Sequence, residues 1–280
     1  MVNIDVLQTV YFAFDVPVEY QLKHNKKMIE IYPVKMNHCG LFNLYSSILK
    51  IDKNSSNDPS VISMSYLDFL CQKLFKANQN AQFYLGWILH ECLQKYKFRI
   101  SFNENNKAFL IDDTDKSDVV IIKAKEFEDI IRIILYQNIL HYDDSYVDPE
   151  LKKSMQEVDE LRSKTHNYPD AERKFSIITA HCGLSKEQQL QMTMRSHQSL
   201  FDEVCGEVEF LTVRPIAVYA GKSKDMEHWI YKNNKGKFDD YIMSVDKYNQ
   251  SMGGDGAVHK INSNNNISSE LISQFNSFNQ

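Results

Sequence analysis

The sequence predicts an α+β protein: a mixed N-terminal domain with a small antiparallel sheet and apolar helices, then a mainly helical C-terminal domain and a disordered tail. Three observations carry that expectation. Short β-branched and aromatic runs at Phe98–Phe102, Ala108–Ile111 and Val119–Ile122 are separated by the polar clusters Asn103–Asn106 and Asp112–Asp118, the pattern of an antiparallel meander. Apolar residues at helical spacing dominate before and after that meander. From Gly253 onward glycine, serine and asparagine prevail, with too little apolar area to offset an ordering entropy of about 1 to 2 kcal/mol per residue. The expected divisions are 1–142, 143–252 and 253–280.

Each element has its own signal. Pro17 and Pro33 oppose helix, so Pro17-Val-Glu-Tyr and Met28-Ile-Glu-Ile-Tyr-Pro-Val read as extended pieces where the small sheet begins. Leu41, Phe42, Leu44, Tyr45, Ile48 and Leu49 repeat as on a helix until the polar cluster Asn54–Ser60. Ser63–Leu70 and Ala81–Leu93 continue the helical layer, and the meander follows. Beyond it, Phe127, Ile130, Ile131, Ile134 and Leu135 share one face of an amphipathic helix over Glu126–Leu140. The acidic stretch after Tyr142 places the domain boundary near Asp143, and Pro149 suits the first turn of a polar helix through Lys164. A helix over Pro169–His181 is predicted to end at Gly183, with Ser185 capping the next and Gln188 three residues on. That next helix runs past Leu190, Met194, His197, Leu200 and Val204, and a last one covers Phe238–Met252.

Composition narrows the function classes. Apolar residues make up 43% and charged residues 25% of the 280, as in ordinary folded proteins. Thirty-two Lys and Arg against 37 Asp and Glu leave a net charge of -5, opposite in sign to a generic binder of nucleic-acid phosphates. The first ten residues have neither a basic region nor a small-residue cleavage site, so no signal peptide is expected. No membrane span is expected either, because Glu128, Asp129, Arg132 and Gln137 interrupt the longest apolar stretch. Five widely spaced cysteines, Cys39, Cys71, Cys92, Cys182 and Cys205, suit reduced thiols in a cytoplasm.

No constellation of residues reads as an active site, so no catalytic, cofactor-binding or metal-binding residues are assigned and a non-enzymatic protein is expected. The loop Asp112–Asp118 is the nearest approach to a metal-dependent enzyme, with Asp113 and Asp115 as cation ligands at a strand end. A second strand follows directly, which favours an acidic hairpin loop, and as a calcium loop it lacks the required glycine at Asp118 and glutamate at Ala124. His38 and Cys39, His90 and Cys92, and His181 and Cys182 lack Cys-x2-Cys or His-x3-His spacing, so structural roles are preferred over zinc. The nine glycines nowhere form a phosphate-binding fingerprint. A helix-turn-helix regulator is the other alternative, but Lys186 and Arg195 are offset by Glu187, Asp202 and Glu203, which favours packing over DNA.

One resemblance adds to this reading. The stretch from Ile178-Thr-Ala-His-Cys-Gly-Leu-Ser through Phe201, with Asp225-Met-Glu-His-Trp-Ile-Tyr and Tyr241-Ile-Met-Ser-Val-Asp-Lys-Tyr, resembles tail-cluster proteins of bacteriophages of low-GC bacteria. Ile31-Tyr-Pro-Val and Ile62-Ser-Met-Ser-Tyr-Leu-Asp-Phe-Leu fit the same pattern. Such a resemblance implies a tail assembly chaperone or baseplate component that binds tape-measure or other tail and virion proteins. It further implies action in the cytoplasm of the infected bacterial host, with retention in the virion and oligomer formation both compatible.

The sequence offers its own contact groups. Sixteen Phe, 15 Tyr and ten Met supply aromatic and adaptable surface. Trp229 is expected to be an anchor between the final helix and the rest of the second half, or else a partner-binding residue. In the tail, Ile267, Leu271, Ile272, Phe275 and Phe278 recur at helical spacing, the pattern of a docking peptide that folds in a partner's groove.

Overall fold

The computed structural model describes residues 2–56, 58–145, 147–165 and 169–221, and the fold is α+β as expected. Helix α1 (Ile4–Val10) and a 3-10 turn lead into a hairpin of β1 (Val18–Gln21) and β2 (Met28–Ile31), antiparallel with Val18 opposite Ile31. Helix α2 (Cys39–Tyr45) runs into a further 3-10 turn, and α3 (Pro59–Ser63) and α4 (Tyr66–Phe69) follow. A π-helical turn joins α4 to α5 (Phe75–Ala77), and α6 (Asn80–Cys92) completes this layer. The meander then forms as β3 (Arg99–Phe102), β4 (Ala108–Asp112) and β5 (Val120–Ile122), in the spatial order β3-β4-β5. Hairpin and meander are separate sheets, where the sequence suggested one.

Helix α7 (Ala124–Asn138) is the hub, touched by α1, α4 and β2. Phe127, Ile130, Ile133 and Ile134 are wholly buried, so apolar packing surrounds more of this helix than the single face its pattern suggested. Acidic residues pin the loops around it. Glu126 accepts hydrogen bonds from the Lys123 amide at 2.9 Å, the Lys23 amide at 2.7 Å and His24 Nδ1 at 3.2 Å, which caps α7 and anchors the β1–β2 turn together. Ser65 caps the start of α4 by accepting the Asp68 amide, and the Asp68 carboxylate accepts the Ser65 hydroxyl and the Ala108 amide, each at 2.8 Å, fastening α4 to β4.

Helix α8 (Pro149–Thr165) starts at its proline as predicted and is largely exposed. Helix α9 (Ala171–Cys182) ends at Gly183, whose φ of 68° is the left-handed cap that glycine adopts without strain. Ser185 and Gln188 form the predicted capping box of α10 (Lys186–Gln191). The continuous helix expected from Ser185 through Val204 is broken here. Met192 and Thr193 are extended, Thr193 bridges to Lys35, and its hydroxyl accepts the Ser196 amide to cap a new helix, α11 (Met194–Tyr219).

That break attaches the second half to the first. The Met36 amide donates to the Met192 carbonyl and the Met194 amide to the Val34 carbonyl, each at 2.9 Å. Asp15, held at a φ of 58°, accepts the hydroxyls of Thr193 and Ser196 at 2.6 Å. The contacts therefore cross the expected boundary near Asp143, and Met194 joins the main apolar core. Trp229, the tail stripe of Leu271, Ile272, Phe275 and Phe278, the helix expected over Phe238–Met252 and the expected tail all lie outside the described residues.

Candidate functional site

The most distinctive surface among the described residues is formed by α2 and α6. Helix α6 buries Ala81, Leu85, Ile88, Leu89 and Cys92, one face at a helical repeat, against the core. Its opposite face holds Gln82, Phe83, Gly86 and His90, all exposed. Helix α2 buries Phe42 and leaves Leu41 and Leu44 at 44% and 58% exposure. Phe83 reaches 61%, a large apolar area for an aromatic side chain left in water.

Aromatic contacts knit the two helices. Tyr45 stacks on Tyr84 with ring centroids 4.5 Å apart and meets Trp87 and Phe83 edge-on at 5.3 and 5.8 Å. His38 lies edge-on to Trp87 at 6.0 Å, and its Nδ1 is 2.7 Å from Glu91. Phe83 thus stands at the edge of an aromatic cluster with Tyr45, Tyr84 and Trp87, and α2 adds the exposed Leu41 and Leu44.

Two further properties set this face apart. A quarter of the chain is charged, yet α2 contains no Lys, Arg, Asp or Glu, and α6 contains Glu91 alone. Gly40 and Gly86 are both exposed, and a Cβ at either would meet nothing within 4 Å. Glycine inside a helix costs roughly 0.5 to 1 kcal/mol relative to alanine, so Gly86 weakens α6 without relieving any crowding among the described residues.

The residues singled out for chemistry are engaged one by one. Asp113 pairs with Arg99, Asp115 accepts the Ser117 amide and hydroxyl, and Asp118 meets Lys27 at 2.6 Å. Asp112 accepts the Lys97 amide and both donors of Thr114. Burial pushes Asp112 upward, but these donors outweigh it and hold the carboxyl below the usual range. The loop is an acidic turn between antiparallel strands, the arrangement favoured over a metal cradle. Among the described residues no three His, Cys, Asp or Glu side chains gather as metal ligands. Cys92 is buried, Cys39 half-buried and Cys182 exposed, so the three His and Cys pairs occupy unrelated environments. Burial raises the thiols of Cys39 and Cys92, and that of Cys71 to about 11, away from the thiolate a nucleophile requires.

The helix, turn, helix unit turns its polar groups inward. The buried Gln189 amide donates to the Phe175 and Leu184 carbonyls and to Thr179 Oγ1, and its oxygen lies 3.2 Å from His197 Nε2. Arg195 is also buried: it donates to the Tyr136 carbonyl at 2.9 Å, and its guanidinium lies over the Phe12 ring. One of the two basic residues weighed for phosphate contact is therefore part of the junction. Between α2, the end of α7, α9 and α11 lies a cleft of about 390 Å³ lined by Met36, Phe175, Lys174, His197 and Gln198 among others. Two of its polar side chains bond each other, Lys174 to Gln198 at 3.1 Å, and Gln198 in turn donates to Asp202 at 2.7 Å.

Sequence reading placed Leu41, Leu44, Phe83 and Trp87 in the helical layer without separating covered from exposed faces. The discoverable signals were the glycine within an apolar helix and the missing charges. No helix among the described residues is long and apolar enough to cross a membrane. Comparison of the chain with protein-family models, with curated proteins and with solved structures finds no match.

Proposed function

We propose that this chain is a non-enzymatic protein that works through protein contacts in bacteriophage tail or virion assembly, as a tail assembly chaperone or baseplate component. The observation that carries the contact reading is the exposed, nearly uncharged face of Leu41, Leu44 and Phe83 beside the aromatic cluster. Exposed aromatic and aliphatic side chains held against neighbouring rings supply the apolar contact area that an interface centre requires. The assignment to tail assembly rests on the resemblance of Ile178–Phe201 and its companion stretches. On this reading the protein acts in the cytoplasm of the infected host, with tape-measure or other tail proteins as partners.

Co-expression with tail and virion proteins tests the proposal. Wild type should co-purify with at least one of them, and Phe83→Ser with Leu44→Ser should lose that complex while keeping the native circular dichroism spectrum. Failure of the wild type to form any such complex would overturn it. The metal-enzyme alternative predicts that Asp113→Asn with Asp115→Asn abolishes a divalent-cation-dependent activity; the proposal predicts unchanged assembly.

A further inference from the structure

We infer that the cleft between α2, the end of α7, α9 and α11 is a binding site for a small aromatic carboxylate that also carries an N–H or O–H donor. The site lies apart from the α2–α6 face and goes beyond the reading of that face as a contact surface.

The group that calls for a ligand is His197. Its side chain lines the cleft and is 2% exposed. The Gln189 amide fixes its tautomer: the amide nitrogen donates to the Phe175 and Leu184 carbonyls, so the amide oxygen is the atom 3.2 Å from Nε2, and Nε2 carries the proton. Nδ1 is then a bare acceptor at the cleft wall, with no partner among the described residues. A buried acceptor without a donor is costly, and an N–H or O–H entering the cleft removes that cost.

Lys174 supplies the charge. Its ammonium donates to Gln198 Oε1 at 3.1 Å and lies over the Phe201 ring at 5.1 Å, and no carboxylate among the described residues pairs with it. Asp202, beyond Gln198, takes the Gln198 amide at 2.7 Å and lies 3.1 Å from His141 Nε2 instead. A half-buried ammonium without an acid partner, in a chain of net charge -5, is open to an incoming anion. Burial holds His197 below its ordinary value and the Lys174 charge adds to it, so the cation stands close to an imidazole that stays neutral.

The remaining walls set the body of the ligand. The cleft measures about 390 Å³, within the range of roughly 300 to 1,000 Å³ for small-molecule sites. Met36, Met194, Ile139, Leu140 and the Phe175 ring line it. Thioethers and a ring face suit a flat aromatic body. The undescribed His166, Asn167 and Tyr168, next to Pro169 on the cleft wall, bring no carboxylate to Lys174.

Calorimetric titration of the full-length protein with indole-3-acetate tests the inference, since this probe joins a carboxylate and a ring N–H on an aromatic body. The expected result is saturable binding at one site, with a change in the nitrogen NMR shift of His197 Nδ1. Lys174→Met should weaken binding about tenfold while leaving the circular dichroism spectrum unchanged. The probe methylated at its ring nitrogen should also bind about tenfold more weakly, and this arm needs no substitution in the protein. No binding up to about 1 mM overturns the inference, as it would if a segment of residues 222–280 filled the cleft. Equal affinity for both probes, or binding indifferent to Lys174→Met, shows unspecific apolar uptake and overturns it as well.

Discussion

The N-terminal body and the α9–α11 unit have different interiors. Around α7 the body packs Leu22, Ile31, Leu67, Leu85, Leu110 and Phe127 into one apolar core, and its buried carboxylates fasten loops at the margin. The α9–α11 unit buries a few apolar side chains, Ile178, Phe201 and Val204, around the Gln189 amide and is joined to the body by backbone hydrogen bonds, Asp15 and Arg195. Apolar packing is non-directional and spreads a perturbation over many neighbours, whereas a polar knot concentrates it on a few donors and acceptors that must all be matched. The body should therefore fail globally and only when a large side chain is removed; the helical unit should fail locally and at single atoms.

The largest effect expected is Phe127→Ala. Removing a wholly buried aromatic ring should cost about 3 to 5 kcal/mol and shift chemical denaturation of the entire fold. Gln189→Ala comes next, at about 1 to 3 kcal/mol, because it removes a buried amide that donates to the Phe175 and Leu184 carbonyls and leaves buried His197 Nε2 without its partner. Hydrogen exchange should show that loss confined to α9–α11; equal deprotection of β4 and α7 would erase the distinction between the regions.

Acid should separate the two regions without mutation. Burial, with the Lys174 ammonium adding to it, holds His197 below its ordinary value of 6.5. A depressed imidazole is neutral in the fold and protonates more readily when unfolded, so its contribution is present above pH 6.5 and declines as pH falls below that. Glu126 in the body is pushed up by burial but held below 4.5 by the amides of Lys123 and Lys23 and by His24. Its contribution is present above about pH 4.5 and is lost only as pH falls through the lower folded value. Exchange measured at pH 5.5 should deprotect α9–α11 ahead of the body, and His197→Gln should remove that early step.

The smallest effect expected concerns two adjacent buried amides. Gln137 donates weakly, at 3.4 Å, to the Val16 and Ile31 carbonyls, and its own oxygen has no partner. Asn138 accepts the Val34 amide at 2.6 Å and donates to the Ile134 carbonyl at 2.8 Å. Gln137→Met should change stability by less than about 1 kcal/mol, since an unmet acceptor leaves with the amide. Asn138→Leu should cost more by thermal denaturation, and a reversed order would show that Gln137 is the better satisfied.

Much of this was legible in the chain. The α+β class, the order β3-β4-β5, the amphipathic α7, the Gly183 cap and the Ser185 capping box all rest on rules that act within a few residues. Helix α1 was missed because its seven residues are too short for a periodic signal. The continuous helix through Met192 failed for a different reason. Nothing local forbids helix there; the competing hydrogen bonds come from Val34, Lys35 and Met36, far upstream near the second strand.

The sequence by itself determined the meander, most of the longer helices, the caps at Gly183 and Ser185, and that a glycine-containing apolar helix with one carboxylate runs over Ala81–Leu93. Only the tertiary structure decided which of its apolar residues are covered. Leu85 and Phe83 are two residues apart and similarly hydrophobic, but one lies under α2 and the core and the other stands in water. That choice depends on which face α2 and its neighbours leave open, a matter of packing between elements that no local pattern encodes. The same holds for Arg195, a basic residue that becomes interior because the Tyr136 carbonyl, far along the chain, accepts a hydrogen bond from its guanidinium.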